Sequence, residues 1–162
     1  MTVRAVVRGV GHYLPARAVP NAEFEARLDT TDEWIRSRSG IERRHFASAE
    51  ETTSFMGAEA ARRALARAGW GADMLDAVIV ATSTPDLTFP SAATMVQKAL
   101  GMRSGFAFDL QAVCAGFVYA LTTANALIVA GQARRVAVIG AETFSKILDW
   151  TDRSTCVLFG DG

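Results

Sequence analysis

The amino-acid sequence predicts an α/β fold with a mostly parallel, mixed sheet that helices cover on both faces. Near-continuous apolar segments of strand length lie at residues 75–81, 106–110 and 135–139, and segments of helix length separate them. Strands that alternate with helices form parallel sheets, and strands that are apolar throughout are buried on both faces. A length of 162 residues fits one domain of this kind.

The first quarter of the chain is predicted to add two strands and a short helix. Residues 3–10 form the first predicted strand, and residues 41–46 are predicted to be a strand or an extended segment. Between them, residues 29–32 offer several N-cap side chains for a helix that includes Trp34 and stops at Gly40.

The middle of the chain is predicted to contain a longer helix. Ser48 and Glu51 have the spacing of a capping box, and the helix that follows is predicted to end near Ala68. The remaining predicted elements are helices over residues 92–100 and 142–148 and a last strand over residues 156–159.

One further helix, predicted over residues 115–130, differs from the others in being apolar on every side. The apolar stretch at residues 112–131 approaches the length of a membrane span, which is about 20 residues. It contains Thr122 and Asn125, however, and it lies within an alternation of strands and helices. We therefore predict a central helix that is buried on all sides.

The composition excludes some classes of partner. Lys and Arg together number 17, as do Asp and Glu, so no excess charge would attract nucleic acid or an anionic membrane. Two cysteines are too few for a disulfide framework, and the first fifteen residues do not resemble a secretory signal. A cytoplasmic protein is expected, and residues 159–162 close on a predicted strand with no covering helix, so we also expect a larger folded unit.

Cys114 is the candidate nucleophile because it lies between a predicted buried strand and the N-terminus of the predicted central helix. Unpaired N–H groups and the helix dipole favour the thiolate there, which is the reactive form of cysteine. Most single buried cysteines are structural, since a free thiol packs as a small hydrophobe. Position alone leaves both interpretations of Cys114 open, whereas Cys156 is predicted to be structural. Neither His12 nor His45 is predicted to meet Cys114 as a base.

Several short motifs follow one another along the whole chain. They are Thr-Asp-Glu-Trp-Ile (31–35), Arg-Ser-Gly-Ile (38–41), Phe-Pro-Ser-Ala-Ala (89–93), Cys-Ala-Gly-Phe (114–117), Thr-Asp-Arg (151–153) and Phe-Gly-Asp-Gly (159–162). In this order and spacing they resemble the ketoacyl-acyl-carrier-protein synthase III family. The resemblance implies a thiolase-like fold of two similar halves, with residues 1–162 as the N-terminal domain.

The resemblance implies a condensation that starts fatty-acid synthesis. A short acyl-CoA, usually acetyl-CoA, condenses with malonyl-acyl-carrier protein through an acyl-cysteine, in a homodimer. Coenzyme A and phosphopantetheine thioesters are substrates, and no metal or other cofactor is implied. The family's Cys-His-Asn site matches here only at Cys114, because its His and Asn belong to the second half. The 162 residues alone are therefore expected to be inactive.

The resemblance also implies roles in binding coenzyme A. Trp34 corresponds to the residue that stacks on the adenine, and Arg153 to the arginine on the other side of that ring. Arg38 corresponds to a phosphate contact, and Thr30 to a nearby polar contact. Without the family context, a tryptophan on an amphipathic helix is more often a core residue, and arginines are most often solvated.

The resemblance also implies which residues form the primer site. The backbone N–H of Cys114 would help to hold the oxyanion that develops during acyl transfer. Phe89 corresponds to a residue that crosses the dimer interface and limits primer length, and Phe159 is assigned to the same pocket. Both phenylalanines also fit ordinary loop and turn packing.

Two other functions stay open at this point. The chain could belong to a relative that loads a different starter in specialised metabolism, with the same site motifs. It could also be a noncatalytic fragment that binds CoA or supports a partner. The absence of the His and Asn favours the fragment, and a reactive Cys114 argues against it.

Overall fold

A computed structural model describes residues 4–162, in which strands and helices alternate over most of the chain. The strands are β1 (Arg17–Pro20), β2 (Arg43–Phe46), β3 (Ala77–Ala81), β4 (Phe106–Leu110) and β5 (Val136–Gly140). The helices are α1 (Ala22–Glu25), α2 (Asp32–Ser39), α3 (Thr53–Ala68), α4 (Ala92–Leu100), α5 (Gly116–Val129) and α6 (Arg153–Cys156).

The main sheet has three parallel strands in the order β4-β3-β5. Ala77 at the start of β3 pairs with Phe106 on one side and with Val136 on the other. The predicted parallel sheet is therefore confirmed, and the loops that follow its three strands leave from one edge.

Helices cover both faces of this sheet, as predicted. All five residues of β3 are buried. On one face, Val78 and Val80 pack in a cluster with Ala61 of α3 and Val96 of α4. On the other face, Ile79 packs against Ala120 and Ala124 of α5.

A second, smaller core lies in the N-terminal lobe, which we define as β1, α1, α2, β2 and α6. Strands β1 and β2 form an antiparallel pair, with Val19 opposite Arg44. The core residues of this lobe are Val19, Phe24, Ile35, Phe46, Cys156 and Val157.

Local signals fixed the ends of α2 and α4. The Thr31 hydroxyl accepts from the Trp34 N–H at 3.0 Å, and α2 ends at Gly40 with φ 73°. The Ser91 hydroxyl accepts from the Thr94 N–H at the start of α4. These are the capping interactions expected of Thr and Ser, and a left-handed φ favours glycine at the helix end.

The capping-box prediction at Ser48 was wrong, because Thr52 is the N-cap of α3. The Ser48 N–H donates to the Glu51 carboxylate at 2.9 Å, but this bond closes a turn before the helix. The same carboxylate accepts from the Tyr13 hydroxyl at 2.7 Å, which holds the turn against the N-terminal segment. The Thr52 hydroxyl instead accepts from the Phe55 N–H.

The predicted strand over residues 3–10 is wrong for its described part, since residues 4–10 pair with no strand among residues 4–162. Two glycines bring this segment onto α3 instead. A Cβ placed on Gly11 would lie 2.3 Å from the Ala60 carbonyl oxygen, and one on Gly9 equally close to that of Ala64. Close backbone packing, rather than a ladder of hydrogen bonds, holds the segment. Residue 3 lies outside the described residues.

The predicted helix over residues 142–148 is only a 3-10 turn at Phe144–Lys146. The backbone of Glu142 is already engaged, because it exchanges hydrogen bonds with Gly162 in both directions. The predicted strand over residues 156–159 is also wrong. Residues Arg153–Cys156 form α6, because the Asp152 carboxylate accepts from the Ser154 N–H at 2.9 Å and starts a helical turn.

The predicted burial of the central helix on all sides is wrong for the described chain. Helix α5 is buried where Ala120 and Ala124 face the sheet, but Val118 is 60% exposed and Tyr119 56% exposed. Residues 4–162 provide a cover for one face of α5 only. Across the same residues, no helix has the combination of length and apolarity that crossing a membrane requires.

Replacement of Thr52 by Ala should destabilise the fold by about 1 kcal/mol, because the first turn of α3 loses its N-cap. Equilibrium urea unfolding measures this change. Ser48→Ala is the matched control and should change stability by less than about 0.5 kcal/mol, as other exposed substitutions do. A larger loss for Ser48→Ala than for Thr52→Ala would restore the capping box as the start of the helix.

Candidate active site

The loops after the three parallel strands bring polar and reactive side chains to one edge of the sheet. Ala81, Leu110 and Gly140 stand opposite one another at the carboxyl ends of β3, β4 and β5. Cys114 follows the second of these strands and Glu142 follows the third. In open α/β sheets this edge is where ligands bind.

Cys114 lies on a strained turn between β4 and α5. Its neighbour Val113 has φ 48°, and no other residue except glycine has a positive φ among residues 4–162. A branched side chain in this region costs on the order of 1–3 kcal/mol, and such strain is typical of functional sites. A 3-10 turn at Val113–Ala115 then leads directly into α5, which confirms the predicted position at a helix start.

The turn exposes the thiol of Cys114 while its helix stays close to the sheet. Gly116 begins α5, and a Cβ placed there would come 3.2 Å from the Cβ of Ala81 in β3. A larger residue would push the first turn of α5 away from the sheet edge. Small residues after the cysteine therefore fix where the nucleophile stands.

A hydrogen-bonded network that the sequence analysis missed joins the loops after β3 and β5. The Glu142 carboxylate accepts from the Ser83 N–H at 2.8 Å and from the hydroxyls of Thr82 and Thr84. The Thr84 hydroxyl in turn accepts from the Thr143 N–H at 2.8 Å. The run Thr-Ser-Thr after a buried strand was the available signal, because buried hydroxyls require partners.

Three of the predicted CoA-binding side chains meet in the N-terminal lobe. The guanidinium of Arg38 lies 4.4 Å from the centre of the Trp34 ring, and that of Arg153 lies 5.2 Å from it. Arg38 follows Trp34 by one turn of α2, whereas Arg153 comes from α6. Arg153 also donates to the backbone and the carboxylate of Asp29. Cation–π geometry thus brings these residues together.

The other predicted binding residues are more scattered. Thr30 is buried, and its hydroxyl has no hydrogen-bond partner in residues 4–162, so it could donate to or accept from a ligand group. Residue Phe89 is 87% exposed. The ring of Phe159 stacks on Phe144, with 4.6 Å between centroids. Within residues 4–162, the rings of Phe89 and Phe159 do not contact each other as an aromatic pair.

The remaining candidate groups have structural partners. His45 Nδ1 lies 2.6 Å from the Pro15 carbonyl oxygen, so this ring nitrogen donates within the fold. Cys156 is fully buried, and burial, followed by the nearby Asp152 carboxylate, raises the pKa of its thiol. Residues 4–162 contain no cluster of three or more His, Cys, Asp or Glu side chains that could hold a metal ion.

Alkylation should distinguish the two cysteines. Iodoacetamide at pH 8 should label Cys114, which is exposed, and leave Cys156 unmodified, because burial and a raised pKa keep its thiol protonated and inaccessible. Peptide mapping by mass spectrometry measures both sites. The same reaction in denaturant should label both cysteines. Preferential labelling of Cys156 in the folded protein would contradict the packing of α6 described above.

Comparison with known proteins gives a consistent picture. Residues 108–162 match the family model of 3-oxoacyl-[acyl-carrier-protein (ACP)] synthase III (3-oxoacyl and beta-ketoacyl denote the same group). Over all 162 residues, the chain is 75% identical to the beta-ketoacyl-[acyl-carrier-protein] synthase III of Ruegeria pomeroyi and 72% identical to that of Rhodobacter capsulatus. The alignments include the whole of this chain, which spans about half the length of the relatives, 50% of each.

Solved structures agree with the sequence comparison. The 3-oxoacyl-[acyl-carrier-protein] synthase III from Aquifex aeolicus superimposes with a TM-score of 0.92 at 48% identity, over 95% of this chain and 50% of that one. The priming beta-ketosynthase from the R1128 polyketide biosynthetic pathway also has a TM-score of 0.92, at 38% identity, over 100% of this chain and 49% of that one. The predicted thiolase-like fold is thereby confirmed. In sequence and in fold, the 162 residues match the N-terminal half of the 3-oxoacyl-[acyl-carrier-protein] synthase III family.

Proposed function

We propose that this chain is the nucleophile-bearing half of a beta-ketoacyl-acyl-carrier-protein synthase III, which condenses a short acyl-CoA with malonyl-acyl-carrier protein. The observation that carries the proposal is the exposed Cys114 on a strained turn at the start of α5. Its relatives over the whole chain bear the name of this activity. The proposed location of the complete enzyme is the cytoplasm.

The first step is transfer of the primer to Cys114. The sulfur of Cys114 attacks the carbonyl carbon of the acyl-CoA thioester, and the bond from that carbon to the CoA sulfur breaks. The departing CoA sulfur takes up the proton that the cysteine thiol loses. The N–H of Cys114 is proposed to stabilise the oxyanion that develops on the acyl carbonyl.

The second step forms the carbon–carbon bond. Malonyl-acyl-carrier protein loses CO2, and the resulting carbanion attacks the acyl carbon on Cys114. The bond to the Cys114 sulfur breaks, which releases 3-oxoacyl-acyl-carrier protein and a thiolate, and one proton taken from solvent restores the Cys114 thiol. The His and Asn that the family uses in this step are proposed to come from the second half of the enzyme. Residues 1–162 alone should therefore form no ketoacyl product.

The N-terminal lobe is proposed to bind the nucleotide of coenzyme A. The indole of Trp34 and the guanidinium of Arg153 would hold the adenine between them, since a flat aromatic face and a guanidinium plane both stack on a purine. The Arg153 side chain, now 5.2 Å from the Trp34 ring centre, would swing outward to about 7 Å to admit the purine. Arg38 would contact the phosphates, and the unpartnered hydroxyl of Thr30 would contact a nearby polar group. We call Trp34, Arg38 and Arg153 the nucleotide clamp.

The exposed ring of Phe89 supports a role at an interface. Phe89 is 87% exposed, and covering its aromatic side chain with a second subunit would remove apolar area from water. We propose that Phe89 enters the primer pocket of the partner in a homodimer and limits primer length. Phe159 is proposed to line the same pocket in its own subunit.

A relative that loads another starter is the second candidate function. The similarity to the priming ketosynthase of a polyketide pathway, at 38% identity, favours it specifically. Initial rates with acetyl-CoA and with longer or branched acyl-CoA primers separate the two functions. A noncatalytic role that only binds CoA has less support, because the strained turn exposes a thiol that such a role does not require.

Acylation of Cys114 is the direct test of the proposed mechanism. The complete enzyme incubated with acetyl-CoA should gain one acetyl group, which peptide mapping should locate on Cys114, because condensation requires the primer to wait on the protein. Cys114→Ser should abolish or severely reduce acylation and condensation, since an alcohol is much less acidic than a thiol. Label on Cys156, or near-normal condensation by Cys114→Ser, would refute the mechanism.

Trp34→Ala should weaken acyl-CoA binding and spare the carrier-protein substrate. Loss of the adenine stack should cost about 1–3 kcal/mol, the range found for bases on aromatic side chains, and should raise KM for acyl-CoA. Trp70→Ala is the matched control, because Trp70 also has an arginine over its ring, Arg135 at 5.6 Å, but is not part of the clamp. An unchanged KM in folded Trp34→Ala, or an equal rise in Trp70→Ala, would reject the clamp.

A further inference from the structure

The buried guanidinium of Arg44 is a feature that the proposed mechanism does not use. Arg44 lies in β2 and is 6% exposed. Its two terminal nitrogens donate to the carbonyl oxygens of Val19 at 3.3 Å and Val157 at 2.8 Å. Its guanidinium carbon lies 4.5 Å from the centre of the Phe24 ring. Arg44 thus connects β1, α1 and the end of α6 inside the core of the N-terminal lobe.

This charge is buried without an acidic partner. No Asp or Glu forms an ion pair with Arg44 in residues 4–162, and its Nε has no hydrogen-bond partner there. Burial lowers the pKa of the guanidinium accordingly. A buried, unpaired charge is expensive, and an apolar side chain of similar volume often fills such a position at no loss of stability. Filling the core is therefore a poor explanation for Arg44.

The hydrogen bond from Arg44 to the Val157 carbonyl indicates a role for Arg44 in holding α6. Val157 directly follows α6, and Arg153 of the nucleotide clamp is the first residue of the same helix. A cation at the C-terminal end of a helix interacts favourably with the carbonyl groups there. Arg44 therefore holds one end of the single helical turn whose other end carries the clamp arginine.

Surface contacts hold Arg153 only weakly. Its partner Asp29 has a fully exposed side chain, and ion pairs of this kind contribute little because water competes for both groups. Arg153 also donates to the Asp29 carbonyl and lies 5.2 Å from the Trp34 ring centre, and the position of the α6 backbone decides whether its side chain can reach both. The backbone after α6 is also tied to β2, because a Cβ on Gly160 would lie 2.9 Å from that of Arg44 and the Asp161 N–H donates to the His45 carbonyl.

We infer that Arg44 is a positioning residue for the binding of coenzyme A: it fixes α6, from which the side chain of Arg153 reaches over the Trp34 ring. The inference rests on the proposed function, because it assigns a cause to the geometry of the nucleotide clamp. Arg44 itself contacts no substrate. Its loss should therefore affect recognition of the nucleotide and leave the chemistry at Cys114 intact.

Comparison of two primers tests the inference in the complete enzyme. Acetyl-CoA carries the nucleotide, and acetyl-pantetheine carries the same thioester without it. In Arg44→Met, KM for acetyl-CoA should rise about tenfold, which corresponds to about 1.4 kcal/mol, while kcat and the KM for acetyl-pantetheine stay as in the unsubstituted enzyme. Arg43→Met is the matched control, because the neighbouring Arg43 is exposed and should change neither KM.

A purely structural role would give a different result. Equal changes with both primers, no change with either in a folded Arg44→Met, or the same change in Arg43→Met would overturn the inference. If Arg44→Met does not fold, Arg44→Lys replaces it, because one ammonium cannot reproduce the planar donors that reach both carbonyls. Arg44→Lys should also affect only the primer that carries the nucleotide. Its KM for acetyl-CoA should rise about threefold, or about 0.7 kcal/mol, and its KM for acetyl-pantetheine should not change.

Failure of the proposed function is distinguishable from failure of this inference. The unsubstituted enzyme should bind acetyl-CoA more tightly than acetyl-pantetheine, and this is measured first. Equal KM values for the two primers would refute the nucleotide clamp, and the role of Arg44 with it. A preference for acetyl-CoA that Arg44→Met and Arg44→Lys both retain in full would refute only the role of Arg44.

Discussion

The parallel pairing of β3 with β4 and β5 is the constraint on which the rest of the structure depends. It places Ala81, Leu110 and Gly140 side by side, so that the chain leaves all three strands at one edge. Because β3 is buried on both faces, polar groups can collect only beyond its end. Cys114 and Glu142 therefore come from distant parts of the sequence to the same edge of the sheet.

Much of the fold followed from signals a few residues apart. Helix α4 has the predicted bounds, because the Ser91 cap and the Gly101 stop are encoded locally. The errors arose where contacts distant in sequence decide the structure. The apolar residues from Cys156 onward suggested a strand, but Cys156 and Val157 are buried in the core of the N-terminal lobe, at the end of α6 and in the turn that follows it. The segment at residues 4–10 likewise packs on α3, which no pattern within it reveals.

The candidate site was predictable to the extent that its residues carry motifs. Cys114 was found from its place between strand and helix, but the positive φ of Val113 was not, because valine rarely adopts it. The contact of Arg38 with Trp34 follows from helical spacing alone. That of Arg153 with Trp34 requires the tertiary fold, as does the hydrogen-bonded network around Glu142.

The proposed reaction needs a fixed distance between its two parts, because one substrate molecule carries the nucleotide at one end and the thioester at the other. The nucleotide clamp belongs to the N-terminal lobe, and Cys114 belongs to the sheet. Asp161 connects them: its buried carboxylate accepts from the Ala47 N–H at 2.7 Å, next to β2, and from Ser145 at 2.8 Å, in the segment after β5. Since a buried carboxylate is stable only with such partners, the two cores cannot shift apart without leaving a charge unsatisfied. The same interaction that stabilises the junction therefore sets the spacing that a CoA thioester would have to span.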